Sequence, residues 1–174
     1  MLRNKIMNIG LTIIIGTGIF KFNVNEIEKL NNYELLKKCE IYKDTSLSKN
    51  DFYENLIENL GYNKKDAEYI VNNLGVDYQA NANECAKMYE DAYNLSKKGT
   101  YEAVIKYGDF TKEEAKRAVD NLSVNFEMNA IVKLLNYEKE FNLNEDEMYK
   151  ILKEEMFEEE DIENAIKTIK YFRG

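Results

Sequence analysis

Six carboxylates crowd the run "EEMFEEED" near the end of the chain: Glu154, Glu155, Glu158, Glu159, Glu160 and Asp161. Oxygen donors at this density could hold a hard cation such as Ca2+. An EF-hand loop, however, needs acids at alternate positions around a central glycine, and this run has neither. The expectation is therefore a solvated acidic helix end with no metal site. Its field suits a basic segment of a protein partner, so these six residues are the candidate partner-binding set. Nucleophilic chemistry fares worse. Ser46, Ser48, Ser96 and Ser123 have turn or cap settings, and the 174-residue chain contains no histidine to serve as a base near neutral pH. No catalytic residue, cofactor-binding residue or cofactor is assigned, and the reading is a non-enzyme.

The elements that would carry such a surface are helices. Proline is absent and glycine occurs only 8 times, so long helical runs meet few breakers. Shifting the chain on itself by about 48 residues aligns "LSKNDFY" (47–53) with "LSKKGTY" (95–101) and "LNEDEMY" (143–149). Upstream, Leu35, Cys39 and Tyr42 correspond to Ala82, Ala86 and Tyr89 and then to Ala130, Leu134 and Tyr137, each triplet one helical face. Downstream, Tyr62, Ala67 and Leu74 align with Phe110, Ala115 and Leu122, and more loosely with Phe157, Ala165 and Ile169. Each copy thus predicts three helices. Ser48, Ser96 and Asn144 are N-cap types for the second, while Asn63 with Asp66 and Thr111 with Glu114 open the third in capping-box fashion. Leu122 is expected to be buried. Cys39 and Cys85 are not repeat-equivalent, so symmetry gives no disulfide, and both read as small apolar packing residues.

A short helix, a turn and a third helix make helix-turn-helix geometry, which raises the alternative of a DNA-binding regulator. Charge opposes it. Lys and Arg number 24 against 32 Asp and Glu, a formal net charge of -8 that repels a polyanion. The third helices begin "NKKDAEY", "TKEEAKR" and "EEEDIEN", where a DNA reader would place basic and amide residues. Nucleic acid is therefore not the expected partner.

The stretch "AKMYEDAYNLSKKGTYEAVIKYGDFTKEEAKRAVDNLSVNFEMNA" closely resembles the repeat of the host cell surface-exposed lipoprotein family, the Ltp-like helix-turn-helix repeat of Gram-positive bacteria and their phages. The signature runs through Ala82, Ala86, Tyr89, the Phe110-Thr111 turn, Glu113, Glu114, Ala115, Ala118, Val119, Asp120, Asn121 and Leu122. The resemblance is strong over 33–130 and weaker over 131–172. It implies a compact helical repeat displayed outside the cytoplasmic membrane, binding rather than catalysis, and in phage-encoded members superinfection exclusion by blocking DNA entry. A basic segment of a phage or cell-envelope protein is then the implied partner. Family members usually carry an acid followed by tryptophan between repeats, where this sequence has Asp77-Tyr78 and Asn125-Phe126.

The opening "MLRNKIMNIGLTIIIGTGIFKFN" differs from the rest: Arg3 and Lys5 precede an apolar run from Ile6 to Phe20. That order reads as a signal peptide or short membrane anchor over 1–23, with residues 6–20 as the membrane segment and the remainder extracytoplasmic. No lipobox cysteine follows it, since Cys39 lies far downstream. The sequence thus predicts an all-α chain of tandem three-helix repeats behind that leader, with repeats at 33–78, 82–126 and 130–172.

Overall fold

A computed structural model describes residues 12–15, 18–21, 32–138 and 143–173. The leader proposed for 1–23 and its membrane segment therefore lie outside the described residues except at two short strands. These are β1 (Thr12–Ile15) and β2 (Gly18–Lys21), paired antiparallel with Thr12 opposite Lys21 and Ile15 opposite Gly18. Where it is described, the apolar run is extended rather than helical, as the β-branched sequence Thr12–Ile15 favours. No helix among the described residues is long and apolar enough to cross a membrane.

The body is helical, and its helices fall into three sets. The first comprises α1 (Asn32–Cys39), prolonged by a 3-10 turn at Glu40–Tyr42, then α2 (Lys49–Glu58) and α3 (Lys64–Asn73). The second comprises α4 (Tyr78–Tyr93), α5 (Lys97–Lys106) and α6 (Lys112–Asp120). The third comprises α7 (Phe126–Glu138), α8 (Glu145–Glu154) and α9 (Glu159–Arg173). The first set forms one compact unit; the other two, with Ser46–Ser48, form another. Within each set the first and second helices both pack on the third.

Equivalent positions are buried in each copy. Leu35 and Cys39 of α1, Ala82 and Ala86 of α4, and Ala130 and Leu134 of α7 all face the core. So do Phe52, Thr100 and Met148 of the second helices, followed one turn on by Leu56, Val104 and Leu152. The third helices bury Ala67, Ile70 and Val71 in α3, then Ala115, Ala118 and Val119 in α6. In α9 the same pattern falls on Ile162, Ala165 and Ile166. Ala165 therefore matches Ala118, and Ile162 rather than Ala165 takes the place of Ala115.

The turn before α9 explains that shift. Each second-to-third-helix turn passes through a left-handed residue: Gly61 (φ 74°), Asp109 (φ 51°) and Met156 (φ 62°). The aromatic residue after it turns inward, half-buried at Tyr62 and buried at Phe110 and Phe157, and donates its backbone N–H back to the second helix. Tyr62 reaches Leu56 O at 2.9 Å and Phe110 reaches Val104 O at 3.4 Å, six residues back, whereas Phe157 reaches Leu152 O at 3.0 Å, only five back. The third turn is one residue shorter, so every later position moves by one. Leu122 also departs from expectation. It is only half-buried at the end of α6, packed on the edge of the Ala82–Val104–Phe110 cluster rather than within it.

The caps follow the sequence closely. Ser96 accepts from Gly99 N at 2.9 Å, and Asn144 from Glu147 N at 3.0 Å, with Glu147 returning the bond to Asn144 N. Thr111 and Glu114 make a reciprocal capping box. Asn63 accepts from Asp66 N, while the shorter Asp66 side chain takes the Asn63 amide instead of its backbone.

Gly108 is demanded by a close approach. A Cβ there would lie 2.7 Å from Cys85 Sγ, 2.7 Å from Val104 O and 2.9 Å from Phe110 Cδ2. The backbone carbonyl cannot yield without loosening the α5 end, so Gly108→Ala is expected to cost about 1–3 kcal/mol. Chemical denaturation checks this, and a neutral substitution would mean that α5 and α4 do not approach as described. Neither Cys39 nor Cys85 is in a disulfide; burial pushes the Cys39 thiol up, and its Sγ donates to Tyr62 Oη at 3.4 Å.

A second device recurs with the repeat. The carbonyl of the leucine before each second helix is held by a side chain from a later helix. Asn81 Nδ2 donates to Leu47 O at 2.8 Å, and Asn129 Nδ2 donates to Leu95 O at 2.9 Å. At the third equivalent position, Arg173 Nη1 of α9 donates to Leu143 O at 2.9 Å.

Candidate binding surface

The six acids singled out in the sequence occupy the end of α8, the following turn and the first turn of α9. Several are already engaged. Glu155 is half-buried, with Lys133 Nζ at 3.2 Å and Tyr137 Oη at 3.5 Å on its carboxylate. Partial burial and this carboxylate push the Tyr137 hydroxyl up. Glu159 accepts from Lys153 at 2.8 Å and Tyr149 at 2.8 Å, and these bonds hold its carboxyl below the usual range. Glu154 lies 4.0 Å from Lys150. Exposed Glu158 just before α9, and exposed Glu160 and half-buried Asp161 in its first turn, lie where carboxylates meet the positive end of the helix dipole. Burial and then the neighbouring Glu158, Glu127 and Glu160 raise the Asp161 carboxyl. The acidic run is thus several small networks, and Glu154 and Glu155 face a different part of the molecule from the start of α9.

That part is a cleft of about 590 Å³ inside the second unit, bounded by the end of α4, the length of α5 and the α8–α9 turn. Helical spacing in α4 puts Tyr89 and Tyr93 on one side, ring centroids 6.3 Å apart. Tyr107, at the end of α5, lies 6.1 Å from Tyr89. Lys106 Nζ stands 5.0 Å from the Tyr107 centroid, over the ring. Tyr93 is 59% and Tyr107 64% exposed, so these residues stand largely in water rather than in the core. Glu102 and Glu154 add carboxylates to the lining. Ser96 anchors the wall: its hydroxyl caps α5 and donates to Glu155 O at 2.8 Å.

Periodicity assigned repeat-equivalent rings to packing, which fits Tyr42 and Phe110 but not this cleft. Tyr107 carried a usable signal. The first copy has Asn59 at its place and the third has the Glu154-Glu155 stretch, so a ring there serves no packing role common to the copies.

Among the described residues, no group of three or more Cys, Asp or Glu is placed to hold a metal ion. On the α6 face that a DNA reader would use, Lys116 binds Asp120 at 2.6 Å, and Lys97 of α5 binds the same carboxylate at 2.9 Å.

Two comparisons with known proteins find similar sequences. Residues 77–122, which are α4 to α6 with the Asp77 cap, match the family described as host cell surface-exposed lipoprotein. The solved structure of Ltp, a superinfection exclusion protein from the Streptococcus thermophilus temperate phage TP-J34, is 30% identical in sequence; the match covers 55% of this chain and 100% of that one, with a TM-score of 0.48. Comparison with curated proteins finds no match. Identity at this level along the whole of the Ltp chain, joined to the match over α4–α6, shows that this chain belongs to the host cell surface-exposed lipoprotein (Ltp) family.

Proposed function

We propose that this protein is a non-catalytic binding module displayed outside the cytoplasmic membrane, where it excludes a second phage by blocking entry of its DNA after adsorption. The observation that carries this reading is the 30% identity to a superinfection exclusion protein over that protein's full length. Composition supports it: a chain without histidine and with a net charge of -8 suits neither general-base catalysis nor phosphate binding. Attachment would fall to the apolar segment 6–20, because no lipobox cysteine follows it. The partner is a basic segment of a phage or cell-envelope protein.

Expression of the full chain in a sensitive host should lower the plating efficiency of susceptible phages at least about tenfold while phage adsorption stays unchanged. Protease added to intact cells should digest the helical body. Unchanged plating in cells that display the protein would overturn the exclusion reading. Tight duplex binding that weakens steeply with salt would instead favour the regulator.

A further inference from the structure

We propose that the Tyr89–Tyr93–Tyr107 cleft is the partner-binding site and that it receives an arginine side chain from a basic peptide segment. This rests on the binding-module reading above and moves its centre from the start of α9 to the α4–α5 cleft.

Three observations converge. The first is aromatic: three tyrosines lie with successive centroids 6.3 and 6.1 Å apart, and two of them are more than half exposed. Exposed ring faces attract cations through the ring quadrupole, and guanidinium also stacks flat on them. The second is that one face already holds a cation, since Lys106 Nζ sits 5.0 Å from the Tyr107 centroid. A partner guanidinium would displace this exposed lysine or stack on the neighbouring rings. The third is charge. Glu102 lines the cleft, is exposed and has no ion pair or hydrogen bond among the described residues, whereas Glu155 is committed to Lys133. Glu102 is therefore the carboxylate available to pair with an incoming cation, and Glu154, only 4.0 Å from Lys150 at an exposed site, adds to the field. Another cleft, between α8 and α9 and lined by Tyr149 and Glu163, also carries Lys167 and Lys170, cations that oppose an incoming guanidinium.

The test is calorimetric titration of the full chain with a short amidated peptide carrying two arginines and a leucine, at low and moderate salt. Its lysine and citrulline counterparts serve as controls. Binding should follow arginine over lysine over citrulline and weaken with salt. Tyr107→Ala and Glu102→Gln should each weaken binding about 2- to 5-fold, Tyr107→Phe should restore it, and Glu158, Glu159 and Glu160 changed together to lysine should have a smaller effect. Tyr107 and Glu102 are exposed, so unchanged thermal unfolding should confirm that these variants fold. No preference for arginine, or a loss confined to the α9 variant, would overturn the cleft assignment. The infection assay separates this from the broader reading. Exclusion that survives Tyr107→Ala with peptide binding lost sinks the cleft alone; arginine-selective binding without exclusion leaves the cleft and sinks the exclusion role.

Discussion

Leu152→Ala should lower the unfolding free energy by about 2–5 kcal/mol. Leu152 is fully buried in α8, in a cluster that includes Leu134 of α7, Phe157 of the turn and Ile162 of α9. Shortening the side chain leaves a cavity that the three helices cannot close together, because each is fixed by its own cap or turn. Leu122→Ala removes the same atoms from a half-exposed edge and should cost only about 1 kcal/mol. Both residues lie in the second unit, so one chemical-denaturation transition reports on both. Equal losses would show that the core is assigned to the wrong faces.

Asn129→Leu should cost about 3 kcal/mol, although it adds apolar volume to a buried site. Asn129 is 7% exposed and its amide serves two acceptors, Glu90 Oε1 at 2.7 Å and Leu95 O at 2.9 Å. Glu90 is itself only 5% exposed, so leucine would strand a carboxylate and a carbonyl away from water. The double variant Asn129→Leu with Glu90→Leu should recover part of the loss by removing the stranded charge. A single substitution costing under about 1 kcal/mol, with no recovery in the double, would mean that water reaches this junction freely.

What the sequence disclosed followed from local rules. The faces at Leu35 and Cys39, Ala82 and Ala86, and Ala130 and Leu134 were legible because a helix buries residues four apart, and the caps at Ser96, Thr111 and Asn144 because each bonds within its own first turn. The register of α9 was not. A single residue lost from the turn at Met156 moves Ile162 into the place of Ala115, and side-chain identity alone drew Ala165 there instead. The Asn129 junction escaped notice because its partners lie 34 and 39 residues away, beyond any helical period. The aromatic cleft escaped for the same reason: Tyr89, Tyr107 and Glu154 meet only once α4, α5 and α8 have packed. The apolar run at 12–21 was legible as a segment distinct from the helical body, but its β-branched pairing into strands was not anticipated.

The exclusion role proposed above turns on whether phage DNA enters the cell. Quantifying intracellular DNA of a superinfecting phage minutes after adsorption, in cells displaying the full chain and in cells lacking it, addresses that step. Equal adsorption with at least about tenfold less phage DNA inside the displaying cells is the expected result. Equal intracellular DNA with normal adsorption would contradict it, even if later phage growth were reduced.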